Sequence, residues 1–522
     1  MHISRRSLLA AVGVAGAGAL FSPVARAQSS LSSLLSSNSS SSPGLIPDRP
    51  KLTHGVATGD VRADGALVWT RADRPARMFV QTSATENFRN PQIFRGNLLT
   101  PDSGGTSKLR LTGLEPGQQI HYRVFVEDED TRLRSEPVTG TFRTAPSNSR
   151  DIRFHWSADV AGQGYGINPD IGGMTGWATM ASRNPDFFLH SGDTIYADGP
   201  IEETVSLEDG RVWRNVTTEA KSHVAQTLAD YRGNYAYNLL DDNYRAFNAQ
   251  VPSIVQWDDH ETVNNWYPGE ILDLAEYSEK NVDVLADRAF QAFHEWQPVD
   301  PTMAVDGRIY RKISYGPLLD IFVLDMRTYK DPNSLNHRGT SADGQILGEE
   351  QEKWLIDSVN TSTATWKIIA NDLPLGIVVP DGEAQEGVSN GGPGAPVGRE
   401  AELVRVLRSI REVKNVVWLT GDVHYTAAHH YHPNRAAFQD FSPFWEFVSG
   451  PLNAGGFGPN DMDSTFGPEI VYYHGPEYAN QSPLDDIQHF GEVDINGETK
   501  EMTVRLLTTR GTELFTQMLA AE

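Results

Sequence analysis

Between residues 47 and 144 apolar and polar positions alternate in short runs, at 66–70, 78–81, 108–111, 120–125 and 140–143. A period of two puts successive side chains on opposite faces, so each run is predicted to be a half-buried strand. Turn sequences such as Leu114-Glu115-Pro116-Gly117 separate them, and the spacing predicts a small all-β sandwich of the fibronectin or immunoglobulin kind over 47–146. Pro146 and Ser147 close that segment, and the pattern then changes. From 147 to 522 short apolar runs alternate with amphipathic stretches of helical period at 222–250, 280–296, 349–359 and 399–412. The alternation predicts an α/β domain, with helices layered on a β-sheet core. The last sixty residues return to strands, at 490–494 and 502–506, with Asn496-Gly497 marking a hairpin between them.

The N-terminus has a different character. Ser4-Arg5-Arg6-Ser7-Leu8-Leu9 opens an apolar, small-residue run that ends at Ala25-Arg26-Ala27. This has the form of a twin-arginine signal peptide over 1–27, with the mature chain beginning near Gln28. The expectation is export through the twin-arginine translocation machinery to a periplasm or the medium, with no stable membrane anchor. Residues 28–46 are nearly all serine with few bulky groups and are read as a flexible linker.

A formal net charge of -24 excludes non-specific attraction to nucleic acid or to an anionic membrane. The chain has no cysteine, so neither disulfides nor thiolate ligands contribute, and any metal must be held by oxygen or imidazole.

Five apolar runs lead directly into residues able to bind metal. They are 152–156 before Asp159, 187–190 before Gly192-Asp193-Thr194-Ile195-Tyr196, 254–257 before Asp258-Asp259-His260-Glu261, 366–370 before Asn371-Asp372-Leu373-Pro374, and 416–419 before Gly421-Asp422-Val423-His424. One such tip is an ordinary turn. Five in order, in a fold class that gathers ligands at the carboxyl ends of its strands, predict a single site.

Gly192-Asp193, Asp259-His260-Glu261 and Gly421-Asp422-Val423-His424 resemble the successive signatures of calcineurin-like metallophosphoesterases. Trp257-Asp258-Asp259-His260-Glu261 and Gly192-Asp193-Thr194-Ile195-Tyr196 resemble the PhoD-type alkaline phosphatase branch in particular. His54-Gly55-Val56-Ala57-Thr58-Gly59-Asp60 and Leu67-Val68-Trp69-Thr70-Arg71 are similar to that family's N-terminal domain. The resemblance runs from about residue 47 to the end and implies a metallophosphoesterase sandwich of two sheets flanked by helices.

On that template Asp159, Asp193, Tyr196 and His424 would form one metal shell. A phenolate is a hard, strongly donating ligand that suits Fe3+ better than Zn2+ or Mg2+, so iron is expected there. The family has a cysteine at the first tip. Asp159 stands in its place here, which makes the shell similar to the purple acid phosphatase set of two aspartates, tyrosine and histidine. The second shell would take Asp193 as a bridge, with Asp259, Asp422 and either Asp372 or Asn371, of which the spacing to Pro374 favours Asp372. An oxygen-rich shell suits Ca2+ or Mg2+, and the resemblance implies Ca2+.

Two cations so placed would clamp a phosphoryl group and generate a metal-bound hydroxide as nucleophile, with His260 protonating the leaving oxygen or holding a phosphate oxygen. The expected activity is hydrolysis of phosphomonoesters, an alkaline phosphatase reaction on a small-molecule substrate. The alternatives are a phosphodiesterase or phospholipase-D-like enzyme and, from another class, a non-catalytic calcium-binding surface protein. Arg327, in Asp325-Met326-Arg327-Thr328-Tyr329, would either contact phosphate or form a structural ion pair. His429, His430 and His432 are read as loop histidines, and the glycine-rich stretch 387–398 as a loop able to border the site.

Overall fold

The structure is a computed structural model that describes residues 48–304, 307–336, 344–392 and 394–522. The expected signal peptide and serine-rich linker, 1–27 and 28–46, lie outside the described residues.

Seven strands come first: β1 (Leu52–Arg62), β2 (Gly65–Ala72), β3 (Ala76–Ser83), β4 (Gln92–Leu99), β5 (Thr106–Arg110), β6 (Gln119–Glu127) and β7 (Val138–Arg143). All five expected runs are among them; β1 and β4 are additional. β1 shows no alternation because Val56–Val61 are buried on both faces, and β4 carries few apolar residues on its exposed positions.

The chain continues through β8 (Ile152–Ser157), α1 (Gly176–Ser182), β9 (Phe187–Ser191), β10 (Thr204–Ser206), β11 (Val212–Arg214), α2 (Leu228–Asn238), α3 (Asp242–Gln250), β12 (Ser253–Gln256) and α4 (Val282–Trp296). A second series follows: β13 (Arg311–Ser314), β14 (Leu319–Val323), α5 (Glu349–Thr361), β15 (Trp366–Ala370), β16 (Pro380–Asp381), β17 (Ala384–Gln385), α6 (Glu400–Ser409), β18 (Val416–Thr420), β19 (Thr426–Tyr431), β20 (Phe444–Val448) and β21 (Pro468–His474). The chain ends in β22 (His489–Ile495), β23 (Met502–Thr508) and β24 (Glu513–Leu519).

The stretch 222–250, expected as one helix, is two. Thr227 and Asp230 form a reciprocal capping box that starts α2, and Asp241 caps α3 by accepting the Tyr244 N–H at 2.9 Å, so polar caps divide a continuous apolar pattern. The terminal hairpin pairs β22 with β23 as expected, but its turn is longer than Asn496-Gly497. Asn496 Oδ1 accepts the N–H groups of Glu498 and Thr499, and Lys500, at φ 63°, makes the left-handed step.

Two large sheets face each other. The first runs β24-β23-β22-β8-β9-β12-β1-β2-β5 and the second β13-β14-β15-β18-β20-β19-β21. In the first, β8, β9 and β12 are parallel neighbours; in the second, β14, β15 and β18 are. Phe154, Leu189 and Ile254 from one sheet pack with Ile321, Ile368 and Leu419 from the other in a single buried cluster.

The N-terminal strands do not stand apart from this core. β4, β3, β6 and β7 form their own sheet, but β1, β2 and β5 extend the first large sheet, with Gly59 of β1 opposite Ser253 of β12. A Cβ on Gly59 would lie 2.2 Å from the Pro298 carbonyl oxygen, so only glycine fits that junction. Val80, Tyr122 and Phe142 join the same buried cluster as the two large sheets. Asp60, fully buried, accepts from Nε and Nη2 of the equally buried Arg311 at 2.8 to 3.2 Å. Residues Pro50–Glu522 are thus one compact unit, and the change of pattern at Pro146 is a change of topology without a gap in packing.

Candidate metal centre

β8, β9, β12, β15 and β18 all end on the same side of the two sheets, as the five apolar runs predict. After β8, β9 and β18 the chain breaks out abruptly: Asp159 (φ 66°), Asp193 (φ 51°), Asp422 (φ 65°) and His424 (φ 60°) all adopt left-handed backbone. Aspartate tolerates that conformation because its short side chain bonds locally; histidine does so less readily, and such strain accumulates at functional sites.

Asp159, Asp193 and His424 offer ligand atoms that all lie within 4.8 Å of one another. The Tyr196 hydroxyl lies 2.7 Å from His424 Nε2, so the four residues expected at the first position do meet. His424 Nδ1 donates to the Gly455 carbonyl at 2.5 Å. That bond fixes the tautomer and leaves Nε2 with the lone pair a metal needs. Burial brings the His424 pKa down to about 4, which keeps the ring neutral. A Cβ on Gly162 would fall 2.3 Å from the Tyr196 ring, so this glycine makes room for the phenol.

Around the second position Asp193, Asp259 and His260 form one close group, and Asp258, Asp259 and Asp422 another. Asp193 and Asp259 therefore link the three groups into a chain. Asp258 is the member sequence reasoning missed, although it sits within the Asp258-Asp259-His260-Glu261 tip. Asp372 is fully buried with neither carboxylate oxygen in a hydrogen bond, Oδ2 lying 3.4 Å from Arg327 Nε, and the Asn371 carboxamide oxygen is buried without a hydrogen bond as well. Asp159 Oδ1 and Oδ2, Asp193 Oδ2, Asp258 Oδ2 and Asp259 Oδ1 share that condition. So many buried oxygens without hydrogen bonds are costly unless cations satisfy them.

The electrostatics point the same way. Burial, followed by the Asp422 charge, pushes the Asp159 pKa well above the usual carboxylate range; burial does the same to Asp193 and takes Asp422 to about 8, with Glu386 adding to the effect. The carboxylates crowd one another too closely for all to be ionised without added positive charge.

Arg327 supplies part of that charge. It is fully buried against Asp258 and Glu386, donating from Nε to Asp258 Oδ1 at 2.5 Å. Of the two alternatives for this residue the structure places it in the ion pair. Glu386, the residue just before the glycine-rich stretch 387–398, had no local signal in the sequence.

His260 is held at Nδ1 by both oxygens of Asp198, at 2.8 and 2.9 Å, and Asp198 is itself fixed by the Asn264 N–H at 2.8 Å. The imidazole lies against the Tyr196 ring with centroids 4.2 Å apart. Burial alone would lower the His260 pKa, but the charges of Asp198, Asp259 and Asp193 raise it well above the ordinary value. Glu261 ties two tips together, accepting from the Thr194 N–H and hydroxyl at 2.5 and 2.6 Å and from the Asp258 N–H at 2.8 Å.

Of the other three histidines, His429, His430 and His432, only His432 lies in a loop. His429 and His430 lie in β19, His429 being buried on Glu446 at 2.9 Å and His430 packing on Trp445. Glu446 also accepts from the Tyr431 hydroxyl and the Leu375 N–H, so His429 belongs to a network that anchors the chain just beyond Asp372. Among the described residues no helix is long and apolar enough to cross a membrane.

Comparison with known proteins adds three likenesses. Residues 154–506 match the PhoD-like phosphatase family, and residues 38–146 match the N-terminal domain of PhoD-like phosphatases. The chain is 29% identical over 437 residues to alkaline phosphatase D of Bacillus subtilis (strain 168), an alignment covering 79% of this chain and 71% of that relative. A solved structure of PhoD superposes with a TM-score of 0.68 at 24% identity, over 91% of this chain and 90% of the other, a likeness of fold.

Proposed function

The chain belongs to the PhoD-like phosphatase family, and from that membership we propose a phosphomonoesterase with Fe3+ held by Asp159, Asp193, Tyr196 and His424, and Ca2+ held by Asp193, Asp259, Asp422 and Asp372. That it is a phosphoric ester hydrolase of the alkaline phosphatase kind follows from the family and its relatives. The observation that carries the metal reading is the set of buried oxygens on Asp159, Asp193, Asp259 and Asp372 that take part in no hydrogen bond, a condition that bound cations relieve. The phenol of Tyr196, beside His424 Nε2, is the donor that favours iron.

Bound there, the two cations supply Lewis acidity to the phosphoryl group and acidify water. The protein's own part falls to His260. With Nδ1 held by Asp198, its Nε2–H is the free donor, suited to give a proton to the leaving oxygen. The Tyr196 ring beneath it restricts the imidazole to that orientation. Asp198 thus serves as a positioning residue for His260.

The test is elemental analysis of the folded protein with an absorption spectrum. The proposal expects stoichiometric iron with calcium and a visible tyrosinate-to-Fe3+ band that Tyr196→Phe abolishes. Zinc or magnesium alone, with no band, would sink the ferric assignment. Rates on a phosphomonoester and a phosphodiester of the same phenol would fix substrate preference, with the monoester expected to be faster. Export by the twin-arginine route, to a periplasm or the medium, is part of the proposal and is supported by the Arg5-Arg6 segment. Cytoplasmic retention on replacing both arginines by lysine, with processing lost, is the expected outcome.

A further inference from the structure

We propose that residues 452–455 are a brace that sets Asp159 and His424 at their spacing before a metal enters, and that Gln488 is the positioning residue that locks it. The inference rests on the ferric reading of the first position and concerns how the protein presets its donors.

The segment follows β20, and its backbone reaches both ligands. On one side the Leu452 N–H donates to the Ala158 carbonyl at 3.0 Å and the Asn453 N–H to that of Asp159 at 3.1 Å, while the Asn453 carbonyl accepts the Ala161 N–H at 2.8 Å. The buried Asn453 carboxamide extends this grip, donating from Nδ2 to the carbonyls of Tyr165 and Gly166 at 2.9 and 3.2 Å. Just upstream the chain presses on the carboxylate itself, since a Cβ on Gly450 would lie 2.2 Å from Asp159 Oδ2. On the other side, two residues beyond Asn453, the Gly455 carbonyl takes the proton-bearing Nδ1 of His424. Asp159 follows β8 and His424 follows β18, so the brace gives donors from two different tips a common backbone.

Ala454, between the two grips, is where the brace is held. Gln488, buried just before β22, accepts the Ala454 N–H at Oε1 (3.0 Å) and donates from Nε2 to the Ala454 carbonyl (2.8 Å). A carboxamide offers a donor and an acceptor side by side, which matches the N–H and C=O of one residue. A carboxylate of the same shape would turn a second acceptor on the Ala454 carbonyl. Glycine rotates readily about its backbone bonds, so the direction of the Gly455 carbonyl depends on its neighbours. Gln488 fixes the peptide before it, and the Gly456 N–H, donating to the Gln481 carbonyl at 2.9 Å, fixes the one after. The Tyr196 hydroxyl, 2.7 Å from His424 Nε2, meets a lone pair there because Nδ1 carries the proton.

The experiment compares wild type, Gln488→Glu and Gln488→Met by thermal melting, by the tyrosinate-to-Fe3+ band and by 15N NMR of the histidine rings in metal-free protein, with His424→Asn identifying the His424 signal. Metal-free wild type is expected to hold His424 with its proton on Nδ1. Both variants are expected to show a mixture of tautomers and to retain iron about 10- to 100-fold less tightly. Their band is expected at longer wavelength, because a histidine that donates less leaves Fe3+ a better electron acceptor. A lower melting temperature alone, with tautomer and band as in wild type, would mark Gln488 as merely structural and overturn the proposal. If neither variant folds, metal-free wild type decides: a proton on Nδ1 upholds the preset donor, and one on Nε2 overturns it. A wild type that holds no iron and shows no band would defeat the ferric reading instead, while the metal-free tautomers would still judge the brace.

Discussion

His260 is buried deeply enough that its ring would ordinarily shed its proton, and only the surrounding carboxylates, Asp198 first, hold the charge on it. Replacing it by glutamine is expected to lower kcat by about 10²- to 10⁴-fold with little change in KM. The loss should grow as the leaving phenol becomes more basic, measurable with a series of aryl phosphates, and Asp198→Asn should show the same trend more weakly. Lys108 shows the opposite case, a charge that burial removes. Its ammonium, enclosed beside Val299, is driven down to about 7 by burial, whereas the unfolded chain keeps a lysine near 10.4. Between those values the unfolded state binds more protons, so this group makes stability rise with pH by up to about 1.4 kcal/mol per unit. Lys108→Met is expected to flatten the pH 7 to 10 stability profile measured by denaturant titration. The acids that directly follow an apolar strand, such as Asp193 and Asp422, could be read from the sequence because the strand itself aims them. Asp198 and Glu386 could not, since what gives each its role is a partner more than fifty residues away, His260 for one and Arg327 for the other.

Elements place these residues by how closely their ends approach. Gly421 sits where the tip of β18 meets the tips of β8 and β9; a Cβ there would lie 2.5 Å from that of Ala158 and 3.2 Å from the Ser191 carbonyl oxygen. Gly421→Ala is therefore expected to push Asp422 and His424 away from Asp159 and Asp193. Bound metal and kcat should fall together, with stability lowered by about 1–3 kcal/mol as for an overpacked core; elemental analysis beside thermal melting checks both. The five site strands were legible because each is a short apolar run buried on both sides, as in β9 and β15. β1 escaped for a related reason: its buried stretch is broken by glycine and threonine, which lower hydropathy while serving close packing. The division of 222–250 escaped because caps are polar residues within an otherwise continuous apolar period.

Across the whole molecule the N-terminal strands and the phosphatase sheets share one core and one buried ion pair. Breaking that pair by Asp60→Ala would strand the Arg311 charge, at an expected cost of about 3–5 kcal/mol, read out by denaturant unfolding. A fragment beginning at Ser147 is expected to aggregate, because β12 would lose its neighbour β1 and the shared core its cover. The composition change at Pro146 could not reveal this, since the pairing of Gly59 with Ser253 spans almost two hundred residues. The same non-local pairing governs the order of events when the chain is made. β8 waits for β22, and β22 to β24 come from the last stretch before residue 519. The other six strands of the main sheet can pair among themselves, but the β8 edge stays open until the last strands are made, and such non-local topologies fold slowly. Until then β8 presents a bare row of backbone donors and acceptors, a template on which a neighbouring copy of the chain could pair.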